Sequence, residues 1–287
     1  PSGHVLVFHR AANEWNDRTF NLHNVYQNIG EPPIPEPTIL VYNETGELVD
    51  SWGQNLFHMP HGITVDGQGN VWVTDVALHQ VFKFTPNEKK VPAFIMGQKF
   101  EPGDDDQHYC KPTSVAVMSS GEFFVADGYC NARIIKYAPD GSKLLEWGKL
   151  SGTSQYSLLV PHALALAEDR GELCVANRER GRVSCYSATD GTFRASFSNW
   201  LLGQRLFSVA YSPLHGTCGA VFLSAVCVGN IDLILPTHTD THPFVLSFAA
   251  KLTGLPRPVV CKARKKNYSF QTTSFTHVFK CHELKSF

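Results

Sequence analysis

One unit recurs three times along this 287-residue chain, and the recurrence leaves few folds open. Its copies start at Pro60, Pro112 and Pro161. Each begins with alternating apolar residues and makes a glycine turn at Gly69, Gly121 or Gly171. A second alternating run then ends on Asp75, Asp127 or Asn177. A third run closes on an aromatic: Phe84, Tyr137 or Tyr186. Period-two alternation between glycine turns is the pattern of short antiparallel strands, one face of each packed and the other differently packed. A further strand follows in two places, Gly46 to Gly53 and Gly141 to Gly148, each carrying a tryptophan before its last glycine. Four short strands repeating at about fifty residues describe a propeller blade. The expected fold class is all-β, a β-propeller of four-stranded blades.

The pattern is incomplete at both ends. Val5 to Phe8 matches a second strand and Thr38 to Tyr42 a third, so the chain enters mid-blade. Between them lies a long loop, Ala11 to Pro37, and long loops on rigid scaffolds often carry function. Leu206 to Ser212 could start another blade. Beyond Pro213 no Pro-His opener or glycine-bounded strand pair follows. The expected division is a partial propeller over 1–212 and a divergent tail over 213–287. A propeller closes to protect its edges, so an incomplete one leaves an edge to be covered by something else.

Composition excludes several classes. The formal net charge is −1, which argues against nucleic acid or an anionic membrane surface as partner. No apolar run reaches the roughly eighteen residues of a membrane helix; Gly219 to Leu235 comes closest and is broken by Asn230 and Asp232. A chain starting at Pro1 is expected to be a processed or excised piece, so a missing leader says little about location.

The chain has eight cysteines and no C-x-x-C pair, which argues against a cysteine zinc cluster. Cys174 and Cys185 flank a hairpin, where a cross-strand bridge is feasible. Cys110 and Cys130 lie at the edges of another strand pair. Bridges there would point to an oxidising compartment; buried free thiols are the alternative. Asn43-Glu44-Thr45 and Asn267-Tyr268-Ser269 are acceptor triplets for glycosylation, in keeping with a secreted glycoprotein.

Candidate chemistry collects at one end of the repeat. The first two strands of a blade are antiparallel, so the start of one and the end of the next share a face. His61 and His162 follow the opening prolines. Arg10 and Arg178 occupy equivalent positions after second strands, and Tyr129 lies just past Asp127. Two imidazoles from equivalent positions can meet at one point, and neutral imidazole is a preferred zinc ligand. Arginine suits bidentate capture of a carboxylate. A tyrosine near zinc and two cations could have a depressed pKa and act as base; an aromatic that packs next to Cys130 is the alternative. His58 and His79 do not recur at equivalent positions and are expected to be structural. Asp104-Asp105-Asp106 lacks the alternating ligand spacing of a calcium loop and is expected to be a solvated turn.

These residues carry a resemblance. The phrases are Phe8-His9-Arg10, Asn55-Leu56-Phe57 running into Pro60-His61-Gly62, the uninterrupted Trp72 to Lys83, Asp127 to Asn131 and Cys174 to Arg178. Together they resemble peptidyl-α-hydroxyglycine α-amidating lyase, the second catalytic domain of peptidylglycine α-amidating monooxygenase. The resemblance covers roughly residues 3 to 212. It implies a six-bladed propeller of NHL-like blades with zinc at the axis, cleaving peptidyl-α-hydroxyglycine to a peptide amide and glyoxylate. It implies that His61 and His162 are zinc ligands, that Arg10 and Arg178 hold the substrate carboxylate, and that Tyr129 is the base. It further implies that the Ile63 carbonyl serves a structural calcium, and that disulfides join Cys110 to Cys130 and Cys174 to Cys185. A monomer in the secretory granule lumen or outside the cell, acting on peptides, would follow.

The chain departs from the family at the third zinc ligand and at two calcium contacts, one of them the aspartate beside that ligand. The family's third zinc histidine sits in a later Met-Pro-His-Asp phrase, which this chain lacks. The expectation is a two-histidine site with weaker zinc affinity and impaired activity. The alternative from another class is a non-catalytic NHL-type propeller that binds partners, for which five site-type residues on one face would have no use.

Overall fold

A computed structural model describes residues 3–148, 156–198 and 203–211, with the backbone of three strands further on. The described chain is all-β apart from two 3-10 turns. The first sheet has three strands: β1 (Val5–Phe8), β2 (Ile39–Tyr42) and β3 (Leu48–Trp52), as expected for a blade entered mid-way. The second contains β4 (Pro60–Val65), β5 (Val71–Asp75), β6 (Gln80–Phe84) and β7 (Phe94–Met96). The third contains β8 (Pro112–Val117), β9 (Phe123–Asp127), β10 (Arg133–Tyr137) and β11 (Lys143–Trp147). The fourth contains β12 (Pro161–Ala167), β13 (Glu172–Asn177), β14 (Arg182–Ser187) and β15 (Phe193–Phe197). All are antiparallel meanders, which is the blade arrangement. In the tail, β16 (Asp232–Pro236), β17 (Val260–Lys265) and β18 (Thr276–His282) pair antiparallel with β18 central. The remainder of 213–287, with Asn267, lies outside the described residues.

The outer strands β7 and β15 have no counterpart in the sequence reading. Each offers little to read: Phe94 and Met96 in β7 and Phe193 in β15 are only half-buried against the cores, and Ile95 and Phe197 are exposed.

Alternation along the inner strands builds the cores between blades. In β9, Phe123 and Val125 pack with Trp72 and Val81 of the second sheet. Their neighbours Phe124 and Ala126 pack instead with Leu173 and Val175 of the fourth. Period two sends successive side chains to opposite faces, so each middle blade is buried on both sides. The outer face of β13 is covered by Leu206 and Val209, where the next blade was expected to begin.

The innermost strands are stitched together near the axis. Thr64 Oγ1 donates to the Val115 carbonyl at 2.7 Å, and Thr113 Oγ1 donates to that of Pro161 at 2.7 Å. Close approach requires glycine at two points. A Cβ on Gly62 would lie 2.3 Å from the Thr113 carbonyl oxygen, and one on Gly128 would lie 2.2 Å from that of Pro161.

The repeated Asp or Asn at the end of each second strand is structural. Asp75 accepts backbone N–H groups from His58, Met59, Ala77 and Leu78. Asp127 accepts from Cys110, and Asn177 from Leu159. All three are fully buried. Each fastens the segment that leads into an opener, and so places the residues that follow it. Both cysteine pairs, Cys110–Cys130 and Cys174–Cys185, are disulfide-bonded. Such bonds persist in oxidising compartments. The Asp104–Asp106 turn is held from beneath by Arg133, which donates to the carbonyls of Asp104, Asp105 and His108. Among the described residues no helix is long and apolar enough to cross a membrane.

Candidate functional site

Three blades bring the expected residues to one point. His61 stands at the start of β4, His162 at the start of β12, and Tyr129 in the turn after β9. Tyr129 Oη lies 2.9 Å from His61 Nε2 and 3.1 Å from His162 Nε2. The two imidazole rings have centroids 4.8 Å apart.

The far side of each ring sets its tautomer. His61 Nδ1 is 2.8 Å from the Thr113 carbonyl, and His162 Nδ1 is 2.6 Å from the Phe207 carbonyl. A carbonyl only accepts, so each Nδ1 carries the proton and each Nε2 presents a lone pair. Burial holds both rings neutral. His61 lies well below its ordinary range, through burial first and then the charges of His162 and Arg10. His162 is lowered to about 4, again mainly by burial.

Two lone pairs therefore face one phenol, whose single proton can satisfy only one of them. Two neutral imidazoles presenting Nε2 are the donor type that zinc prefers, with the Nδ1-to-carbonyl bonds as the usual orienting contacts. Among the described residues no group of three His, Cys, Asp or Glu is positioned to hold a metal.

The arginines flank the phenol and differ in their engagement. Arg178 stands 5.2 Å from the Tyr129 ring, with Nη1 at 3.4 Å from its oxygen. Its Nε and Nη2 are taken by Glu179 at 2.8 and 2.7 Å. Arg10 donates through Nε to the Pro60 carbonyl at 2.7 Å. It lies close enough to Tyr129 and His61 to act on the charge of both.

The Tyr129 hydroxyl has its pKa raised, because burial outweighs the opposing pull of Arg178 and Arg10.

His58 and His79 are structural, as expected. His58 packs on Tyr26 and Phe100, and His79 Nδ1 accepts the Lys111 backbone N–H at 3.1 Å. Ile63 is buried in β4, where it pairs with Val73. Two site residues escaped the sequence reading. Glu179 binds Arg178 and also Arg205 at 2.9 Å. Trp15 packs on Tyr129 with centroids 4.7 Å apart. The length of the 11–37 loop was the only signal for Trp15, and no spacing argument could select it within the loop.

The NHL repeat family matches at residues 57–84 and 109–137, within the second and third blades. Peptidyl-alpha-hydroxyglycine alpha-amidating lyase 1 of Drosophila melanogaster is 43% identical over 279 residues, covering 94% of this chain and 50% of that protein. Lyase 2 of the same organism is 49% identical over 190 residues, covering 66% of this chain and 46% of its own length. The peptidylglycine alpha-amidating monooxygenase of Rattus norvegicus is 44% identical over 216 residues, covering 73% of this chain and 22% of that protein. The chain thus spans about half the length of the Drosophila relatives or less. The match to lyase 1, at 94% of the chain, reaches past residue 212.

Proposed function

This chain belongs to the peptidyl-α-hydroxyglycine α-amidating lyase family, and from that membership we infer that it cleaves peptidyl-α-hydroxyglycine to a peptide amide and glyoxylate. The observation that carries the reading is the convergence of two Nε2 lone pairs on the Tyr129 hydroxyl, between the guanidinium groups of Arg10 and Arg178.

Arg10 is the better receptor for the substrate carboxylate. Its hydrogen bond uses Nε alone, which leaves Nη1 and Nη2 for a bidentate contact. Arg178 is already held by Glu179, and its charge acts chiefly on Tyr129. Tyr129 acts as the phenolate, the form that the charges of Arg10, Arg178 and a held zinc would favour, and accepts the proton of the α-hydroxyl. The carbon–nitrogen bond then breaks, the carbonyl of glyoxylate forms, and the proton passes to the departing amide nitrogen.

His61 and His162 would hold zinc through Nε2, and the ion would supply charge stabilisation to a developing alkoxide. The Ile63 carbonyl would serve a structural calcium. With two imidazoles and no later Met-Pro-His-Asp phrase, this chain is expected to bind zinc weakly and turn over slowly. It would act as a monomer on peptides in the secretory granule lumen or outside the cell, consistent with both disulfides.

The deciding assay incubates the purified chain and added zinc with a peptide ending in α-hydroxyglycine and measures glyoxylate. Slow, zinc-dependent release supports the reading. A well-folded sample that releases none with saturating zinc refutes the lyase assignment for this chain, and fast release refutes the impairment.

A further inference from the structure

Five side chains around the site form one run of cation–ring and ring–ring contacts. The Arg10 guanidinium carbon lies 5.5 Å from the Trp15 ring centre. Trp15 and Tyr129 have centroids 4.7 Å apart. Arg178 lies 5.2 Å from the Tyr129 ring and 5.3 Å from that of Phe207. The order is cation, indole, phenol, cation, phenyl. Trp15 touches both the Arg10 end and the Tyr129 end. Its ring also approaches His61, with centroids 6.5 Å apart.

The loop that carries Trp15 is built as a fixed cover. Asn13 Nδ2 donates to the His58 carbonyl at 2.8 Å, just ahead of the His61 opener. Tyr26 is buried against Met59, Val76 and Ala77. Lys111 Nζ reaches up from the third blade to Asn24 Oδ1 at 2.9 Å and lies 4.2 Å from the Phe20 ring centre. Ile34 closes the loop against the Phe57 carbonyl at 2.9 Å. A loop pinned at so many points holds its tryptophan in one place.

We propose that Trp15 is a positioning residue: it holds the Arg10 fork and the Tyr129 hydroxyl in one fixed relation, so that carboxylate capture and proton acceptance address the same substrate molecule. A planar aromatic suits both contacts, since it attracts a guanidinium on its face and packs against a second ring. Without it, Arg10 keeps its bond to Pro60 but loses the surface that orients its fork. Tyr129 keeps its bonds to the imidazoles but loses the wall that stops its ring from tilting. The proposal deepens the lyase reading and rests on it for its kinetic test.

The experiment compares the full chain with Trp15→Phe, Trp15→Leu and Trp15→Ala. Two readouts are taken on each: glyoxylate kinetics with added zinc, and calorimetric binding of an N-acyl glycine, which has the carboxylate but no hydroxyl to lose. The leucine and alanine variants are expected to lower kcat about tenfold to a hundredfold, the scale of a small misplacement of catalytic groups. They should weaken N-acyl glycine binding several-fold, while Trp15→Phe restores both readouts to near wild type. If the alanine variant fails to fold, the leucine and phenylalanine pair still decides, because only one of them keeps a ring. Equal kcat, KM and ligand affinity in the leucine and phenylalanine variants overturn the proposal. So does a wild-type chain that fails to bind the N-acyl glycine. Binding that depends on an aromatic at position 15, in a chain that releases no glyoxylate, sinks the lyase reading and leaves the placement of Arg10 by Trp15 standing.

Discussion

His61 and His162 come from different blades, yet their rings lie 4.8 Å apart and their Nε2 atoms address the same phenol oxygen. They meet because β8 lies between β4 and β12 and is hydrogen-bonded to both at the axis. Thr113 alone performs both tasks: its carbonyl orients His61, and its hydroxyl binds the Pro161 carbonyl beside His162.

Removing either imidazole should therefore abolish a shared site. His61→Ala and His162→Ala are each expected to weaken zinc binding on the order of a hundredfold or more, beyond the usual loss for an orienting partner. Competition titration with a chromophoric chelator measures it. A variant that binds zinc as well as wild type would remove that histidine from the site.

Tyr129→Phe keeps the ring stacked between Trp15 and Arg178 and deletes only the oxygen that the imidazoles address. Glyoxylate release is expected to fall by about a hundredfold to ten-thousandfold, the range for loss of a general base. Urea denaturation should show little change. A loss of activity that tracks a loss of folded protein would assign Tyr129 to packing instead.

Arg133→Met should be severely destabilising. Arg133 is 1% exposed and pairs at 3.0 Å with Asp127, which is fully buried and already pushed up to about 6 by burial. The variant leaves Asp127 without its cation, and breaking a buried pair from one side costs about 3–5 kcal/mol. The same change releases the carbonyls of Asp104, Asp105 and His108. An urea midpoint within error of wild type would contradict this account.

His79 gives the folded state a defined acid sensitivity. Burial, then the neighbouring Lys111 charge, lowers its pKa to about 4 from an ordinary value of 6.5. Between those values the unfolded chain binds a proton that the folded chain refuses. The stability that depends on neutral His79 is complete above pH 6.5 and is lost as pH falls towards 4, up to about 3 kcal/mol. The backbone at His79 has φ of 55°, which asparagine tolerates. His79→Asn therefore removes the titration without backbone strain. The stability gap between wild type and His79→Asn should move against wild type as pH falls from 7 to 4.5; a constant gap would show that His79 does not titrate across this range.

The blades were legible in the sequence because alternation and glycine spacing are local properties. Phe123, Phe124, Val125 and Ala126 had to be apolar whichever blades they faced, since a middle blade is buried on both sides. The outer strands β7 and β15 were not legible, because each turns only one or two large apolar side chains inward, and those are only half-buried. The equivalence of His61 with His162, and of Arg10 with Arg178, could also be read from register within the repeat.

Local pattern was enough to put these residues at the same end of each blade. A strand of fixed period, ending at a fixed residue, leaves no choice in that. Which of them touch was a matter of packing in three dimensions. It set the lone pairs of two histidines on one phenol, engaged Arg178 with Glu179 while Arg10 kept its fork, and brought Trp15 over the axis. Those outcomes depend on the angle between blades and on the path of an irregular loop. Both are set by packing between residues far apart in the chain, which no local pattern encodes.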